Sequence, residues 1–223
     1  MTEELKPFGY VDNGEIKGVC VEIVREVLKV VGQPDKIKIY PWDRAYQEAS
    51  HEPGRVLFAM GRNEAREPLF KWVGPLISNV TYLYKHRGSP VNIHSLEDAR
   101  AVPSIAVREN YFAHTQLQSL GFANLVPSME ETLDLQMLLA NRADLAAFGE
   151  LSLPTACEAA NLDCSMVENT GVMIYDSKLY MAFSLQTDDA EIQRWQAALN
   201  QVKASPAFNE IVARYIHSPL VSD

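Results

Sequence analysis

Two neighbouring segments of the chain carry residue types suited to gripping a small charged molecule. PWDRAY begins at Pro41, and GRNEAREPLFKWVGP runs from Gly61 to Pro75. Between them they supply the guanidiniums of Arg44, Arg62 and Arg66 and the indole of Trp42. A guanidinium is a planar, permanently charged fork that matches carboxylate and phosphate geometry. An indole offers a flat apolar face that can also cover a cation. Together they point to a pocket for a small organic ligand with an anionic group. The competing reading makes the arginines surface ion pairs and Trp42 a core residue.

The bulk properties exclude several classes. The 223 residues are 47% hydrophobic, an ordinary globular composition that suits one large domain or two small ones. The net charge of −9 comes with no basic stripe, so a nucleic-acid partner is not expected. No apolar run approaches the roughly 20 residues of a membrane span. The N-terminal MTEELKPF lacks the basic start and apolar middle of a signal peptide. It suits a cytosolic chain, or equally a secreted one whose leader has been removed. Histidines 51, 86, 94, 114 and 217 are scattered and read as surface residues, and no Ser-His-Asp or Cys-His arrangement stands out. Glycines 9, 14 and 18 are spaced as turns rather than as a phosphate loop. No His or Cys stands at ligand spacing, so neither a metal nor a cofactor is expected. Cys157 and Cys164 either form a disulfide on a helix-to-strand connection or remain two buried thiols; Cys20 sits alone in an apolar helical run.

The elements that must position the arginines alternate in type. Val19, Ile23 and Val27 recur at helical spacing until Gly32. IKIY (37–40) reads as a strand leading into the PWDRAY helix, and residues 56–60 read as a buried strand. NVTYLYKH (79–86) alternates. After a Gly-Ser-Pro break at 88–90 the cycle restarts. Ser95 with Asp98 suggests a capping box, SIAVR (104–108) a strand and 110–120 a helix. Ser128 with Glu131 suggests another cap, ADLAAF (143–148) a buried strand and KLYMAFSL (178–185) the last strand. Helices over 188–203 and 206–216 close the chain. Such alternation implies α/β architecture with a largely parallel sheet. The restart suggests two lobes, 1–83 plus 182–223 and 84–181, joined by two hinge strands, with a ligand in the cleft.

TEELKPFGYVDNGEIKGVCVEIVREVL, PWDRAY and REPLFKWVGPL in this order resemble the family 3 extracellular solute-binding proteins. SLEDAR, NRADL and LYMAFSL with its closing helix pair extend the resemblance over nearly the whole chain. It implies a type II periplasmic-binding fold of two lobes, each a mostly parallel sheet flanked by helices. It also implies capture of a small carboxylate-bearing, amino-acid-like ligand, delivery to the membrane permease of an ABC importer, and a monomer in the periplasm. By the same resemblance Arg66 in RNEAR occupies the place of the ligand-carboxylate arginine, and Trp42 that of the aromatic covering the ligand. Glu3, or its neighbours Thr2 and Glu4, would reach the cleft from the first strand. Arg108, followed by Asn110 and Tyr111 on a turn into a helix, would face it from the second lobe. Arg44 joins the candidates although it need not share Trp42's face.

Three departures from the family pattern qualify this. The acid that amino-acid binders use for the ligand ammonium falls on Gly149, with Glu150 as a possible substitute from the next position. Arg62 stands where relatives carry small or hydroxyl residues, which tilts expectation towards a second anionic group. The chain begins where the first strand would be ending, so residues before Met1 are expected. Two further outcomes share the scaffold: the sensory domain of a membrane receptor, and a cyclohexadienyl-dehydratase-like enzyme, for which Glu150 would be the acid.

Overall fold

The structure is a computed structural model that describes residues 1–109 and 111–215. The chain divides into two compact units. Met1–Ser78 with the described residues from Lys178 onward form unit 1, and Asn79–Ser177 form unit 2.

In chain order, a hairpin of β1 (Tyr10–Asp12) and β2 (Glu15–Lys17) precedes α1 (Val19–Val31). Helix α1 turns a full apolar face inward, burying Val19, Ile23, Val24 and Val27, and ends at Gly32 in the left-handed conformation. Next come α2 (Trp42–His51), β3 (Val56–Gly61) and the long β4 (Phe70–His86). Unit 2 continues with α3 (Leu96–Arg100), β5 (Ile105–Arg108), α4 (Phe112–Ser119), β6 (Leu125–Ser128) and α5 (Glu131–Leu139). It ends with β7 (Leu145–Gly149), α6 (Leu153–Ala160) and the long β8 (Val167–Ser184). Helices α7 (Asp189–Lys203) and α8 (Pro206–Tyr215) then return to unit 1 and pack on α1. The expected end of the last helix at residue 216, and His217, lie outside the described residues.

Unit 2 is built on β5, which pairs in parallel with β6 on one side and β7 on the other. β7 also pairs with the later part of β4, antiparallel, with Thr81 opposite Gly149. Alternation along these strands feeds two cores. Ile105, Val107, Leu145 and Ala147 join Leu83 and Leu117 on one face. Ala106, Ala146 and Phe148 join Leu135, Leu138 and Tyr84 on the other. Burial on both faces is why SIAVR and ADLAAF are apolar without a gap. In unit 1, β3 pairs antiparallel with the end of β8, from Val56 opposite Phe183 to Gly61 opposite Leu179.

Several local expectations change. Segment 37–40 forms no extended strand. Its pairing is a single parallel bridge, Ile39 with Thr2, made by the Thr2 N–H to the Lys38 carbonyl and the Tyr40 N–H to the Thr2 carbonyl. The alternating stretches 79–86 and 178–185 are parts of much longer strands. β4 runs straight through Gly74 and Pro75. The Gly74 N–H is satisfied by Gln196 Oε1 at 2.9 Å, and Pro75 has none to satisfy. A Cβ at Gly74 would lie 2.4 Å from the Tyr180 ring, so only glycine admits that ring. Ser95 does cap α3 through the Asp98 N–H at 3.1 Å. Ser128 caps nothing, since it is still in β6 and donates to the Glu130 carbonyl. His114 is buried on the inner side of α4, not at the surface.

Cys157 and Cys164 are joined in a disulfide. Asn161, in the left-handed conformation at the end of α6, reverses the chain and brings their Cα atoms to 5.7 Å. Cys20 is a buried free thiol in α1. Closing so short a loop is worth about 2 to 3 kcal/mol. Replacing both bonded cysteines by alanine is expected to cost that much in urea denaturation, and dithiothreitol should reproduce the loss in the parent protein. An unchanged midpoint in both would show that the bridge does not constrain the unfolded chain.

Candidate functional site

The end of β3 and the turn after it hold the central group of unit 1. β3 carries a bulge at Ala59, which takes φ 63° and shifts the register with β8. The strand ends at Gly61. Asn63 then organises the turn, its side chain and carbonyl both accepting from the Arg66 N–H. Arg66 reaches back to donate from Nη1 to the Gly61 carbonyl at 3.0 Å. Its guanidinium lies 4.9 Å from the Trp42 ring centre and 5.8 Å from that of Tyr46. Those rings are four residues apart on α2, the spacing that stacks side chains on one helix face. Among the described residues Arg66 makes no ion pair within 4.0 Å. Glu3 is its acidic neighbour: burial pushes the Glu3 carboxyl up, and the Arg66 charge pulls against that.

The acid next to Arg66 in sequence is engaged elsewhere. Glu67 takes Arg62 instead, in a forked pair with both bonds at 2.6 Å. Hydrogen bonding from Arg62 holds the Glu67 carboxyl below its usual range. Arg62 also lies 5.6 Å from the Trp72 ring centre and 5.5 Å from that of Tyr180. Arg44 is about 200° around the helix from Trp42. It bonds Glu48 at 2.8 Å and covers Tyr40. The three arginines of these two segments therefore divide into two matched charges and one unmatched. Behind them Trp42, Tyr46, Phe70, Trp72 and Tyr180 form an unbroken chain of ring contacts with successive centres 5.5 to 5.9 Å apart.

In unit 2 the three parallel strands end on one edge, at Arg108, Ser128 and Gly149. Carboxyl-end edges of this kind are where α/β sheets bind ligands. The Arg108 guanidinium stacks on Tyr111 at 3.7 Å and, among the described residues, makes no ion pair within 4.0 Å. Asn110, between them in sequence, lies outside the described residues. Glu131 and Asp134, one turn apart at the start of α5, stand within reach of the Arg108 charge. Burial raises the Glu131 carboxyl. Asp134 is fully buried, and neither of its oxygens has a hydrogen-bond partner among the described residues. Burial pushes it up to about 7; Glu131 adds to the rise, while Ser128 and Arg108 oppose it. Sequence reasoning missed both acids of ETLD, because Glu131 was absorbed into a supposed helix cap. Burial also raises Glu150, whose charge acts on Tyr84 of the core formed with Phe148.

A family match covers residues 1–218: the bacterial extracellular solute-binding proteins, family 3. The chain belongs to this family. No curated protein matches it. Solved structures of the same fold include substrate binding domain 2 of Lactococcus lactis GlnP in an open conformation. That domain shares 14% identity over 97% of this chain and 94% of its own, with a TM-score of 0.80. A putative ABC-transporter binding component from Wolinella succinogenes, complexed with lysine, shares 22% over 98% and 94%, with a TM-score of 0.74. A histidine kinase sensor domain similar to periplasmic binding proteins shares 19% over 97% and 94%, with a TM-score of 0.71. This family 3 protein thus has the α/β fold of periplasmic binding proteins. Among its described residues no helix is long and apolar enough to cross a membrane.

Asp134 gives the family 3 protein a measurable pH signature. The folded carboxyl titrates near 7 and the unfolded one near 4, so the folded state holds the extra proton between those values. Stability from this group is complete below about pH 4 and is lost as pH rises through 7. Asp134→Asn is therefore expected to gain about 3 kcal/mol on the parent protein between pH 4.5 and 8 in urea denaturation. A constant difference across that range would mean that Asp134 is not held protonated.

Proposed function

We propose that this protein captures a small organic ligand bearing a carboxylate outside the cytoplasm and delivers it to the membrane permease of an ABC importer. The observation that carries the reading is Arg66, a guanidinium fixed by Trp42, Tyr46 and the Gly61 carbonyl and lacking an acidic partner among the described residues. A ligand carboxylate would accept the fork's remaining N–H groups and gain a charge-assisted, two-point contact. Trp42 positions the guanidinium and lends apolar surface. Within unit 2, Arg108 by charge and Glu150 by hydrogen bonding are the candidate ligand-binding residues. Arg62 and Arg44 are weaker candidates, since a ligand would have to displace Glu67 or Glu48.

Binding acts without chemistry: a ligand that prefers one arrangement of the protein shifts its population, and a permease reads the result. A monomer suffices for this. The sensor-domain neighbour supports a second reading, in which the same binding event is reported across a membrane rather than delivered.

Thermal denaturation against a panel of amino acids, dicarboxylates, keto acids and polyamines tests the class. A ligand at 100 times its Kd adds about 2.7 kcal/mol, or roughly 5 to 11 °C. Arg66→Ala is expected to weaken the ligand found by about 100-fold or more, and Trp42→Ala by about tenfold, with the fold intact. Parent-like affinity in Arg66→Ala would remove the carboxylate anchor.

A further inference from the structure

The carboxyl edge of unit 2 contains one polar side chain that none of the foregoing uses. β4 runs antiparallel to β7 with Thr81 opposite Gly149, so Asn79, two residues earlier, stands just beyond the end of β7. A Cβ built on Gly149 would lie 2.5 Å from Asn79 Nδ2 and 2.8 Å from its Oδ1. The amide of Asn79 therefore fills the space that any side chain at 149 would need. Its orientation is fixed: Oδ1 accepts from the Leu151 N–H at 3.1 Å, and the Glu150 N–H is tied to the Val80 carbonyl at 2.9 Å. That leaves Nδ2, a pure donor, with no acceptor among the described residues on a half-buried residue at the sheet edge.

We infer that Asn79 is a specificity-determining residue whose amide donates to an oxygen of the ligand, so that the protein selects hydroxy or oxo acids over the matching amino acids. The inference rests on the solute-binding reading and names the ligand class within it. An ammonium brought to Nδ2 would meet hydrogens with hydrogens, and no carboxylate can be placed at 149 while Asn79 stands there. A hydroxyl or keto oxygen accepts the fixed N–H without rearrangement, and a site built around one donor discriminates strongly against a group that cannot accept.

The test is calorimetric titration of the parent protein, Asn79→Asp and Asn79→Ala with matched acids. The probes are alanine, lactate and pyruvate; glutamate, 2-hydroxyglutarate and 2-oxoglutarate; and phenylalanine, phenyllactate and phenylpyruvate. In at least one set the oxygen acid is expected to bind the parent about tenfold or more tightly than its amino counterpart. Asn79→Asp keeps the acceptor for Leu151 and so the fold, but should weaken the oxygen acid about tenfold and reverse the preference. Asn79→Ala should lose the preference without reversing it, and stands in if the aspartate variant does not fold. Tighter binding of the amino acid by the parent, or a ratio untouched by both variants, overturns the inference and leaves the carboxylate reading in place. Binding of an amine or sugar with no acid from any set removes both.

Discussion

An arginine held in place without a carboxylate is the constraint around which unit 1 is organised. A half-buried guanidinium without a counter-charge costs free energy, and the chain reduces that cost without cancelling the charge. Two aromatic faces on α2 and one backbone carbonyl hold Arg66, while Glu67, the acid nearest in sequence, is claimed in a fork by Arg62. Were Arg62 absent, Glu67 would be free to turn to Arg66 and fill the place of an incoming carboxylate. Arg62 thus occupies the acid that adjoins Arg66 in sequence.

The supporting architecture follows from ordinary strand and helix physics. The bulge at Ala59 bends the end of β3, and the Asn63 turn sends the Arg66 side chain back over Gly61. The helical repeat places Trp42 and Tyr46 together beneath the guanidinium and swings Arg44 away to Glu48. In unit 2, parallel pairing of β5, β6 and β7 brings Arg108, Ser128 and Gly149 to one edge although they are distant in sequence. Asp134 lies there inside the protein, so its proton depends on burial more than on any single neighbour.

Much of this was legible in the sequence because it depends on local pattern. The apolar spacing of Val19, Ile23 and Val27 and the continuous runs SIAVR and ADLAAF each announce the element they form. What escaped depends on distant contacts. Nothing local in WVGP shows that a strand continues through it; Gln196, far along the chain, satisfies the Gly74 N–H. The pairing of Arg62 with Glu67 is a choice among several nearby acids that spacing cannot make. Asn79 and Gly149 are seventy residues apart, and only the register of β4 against β7 reveals that one fills the space of the other. Glu131 and Asp134 look like a solvated helix start until their burial is known.

The measurement that bears most directly on the unmatched guanidinium is a paired titration. The first carboxylic acid found to stabilise the protein is titrated calorimetrically beside its own methyl ester, which keeps the shape and removes the charge. If Arg66 anchors the carboxylate, the ester binds about 100-fold more weakly or not at all. An ester that binds as well as the acid would mean that the ligand's charge is not what Arg66 recognises.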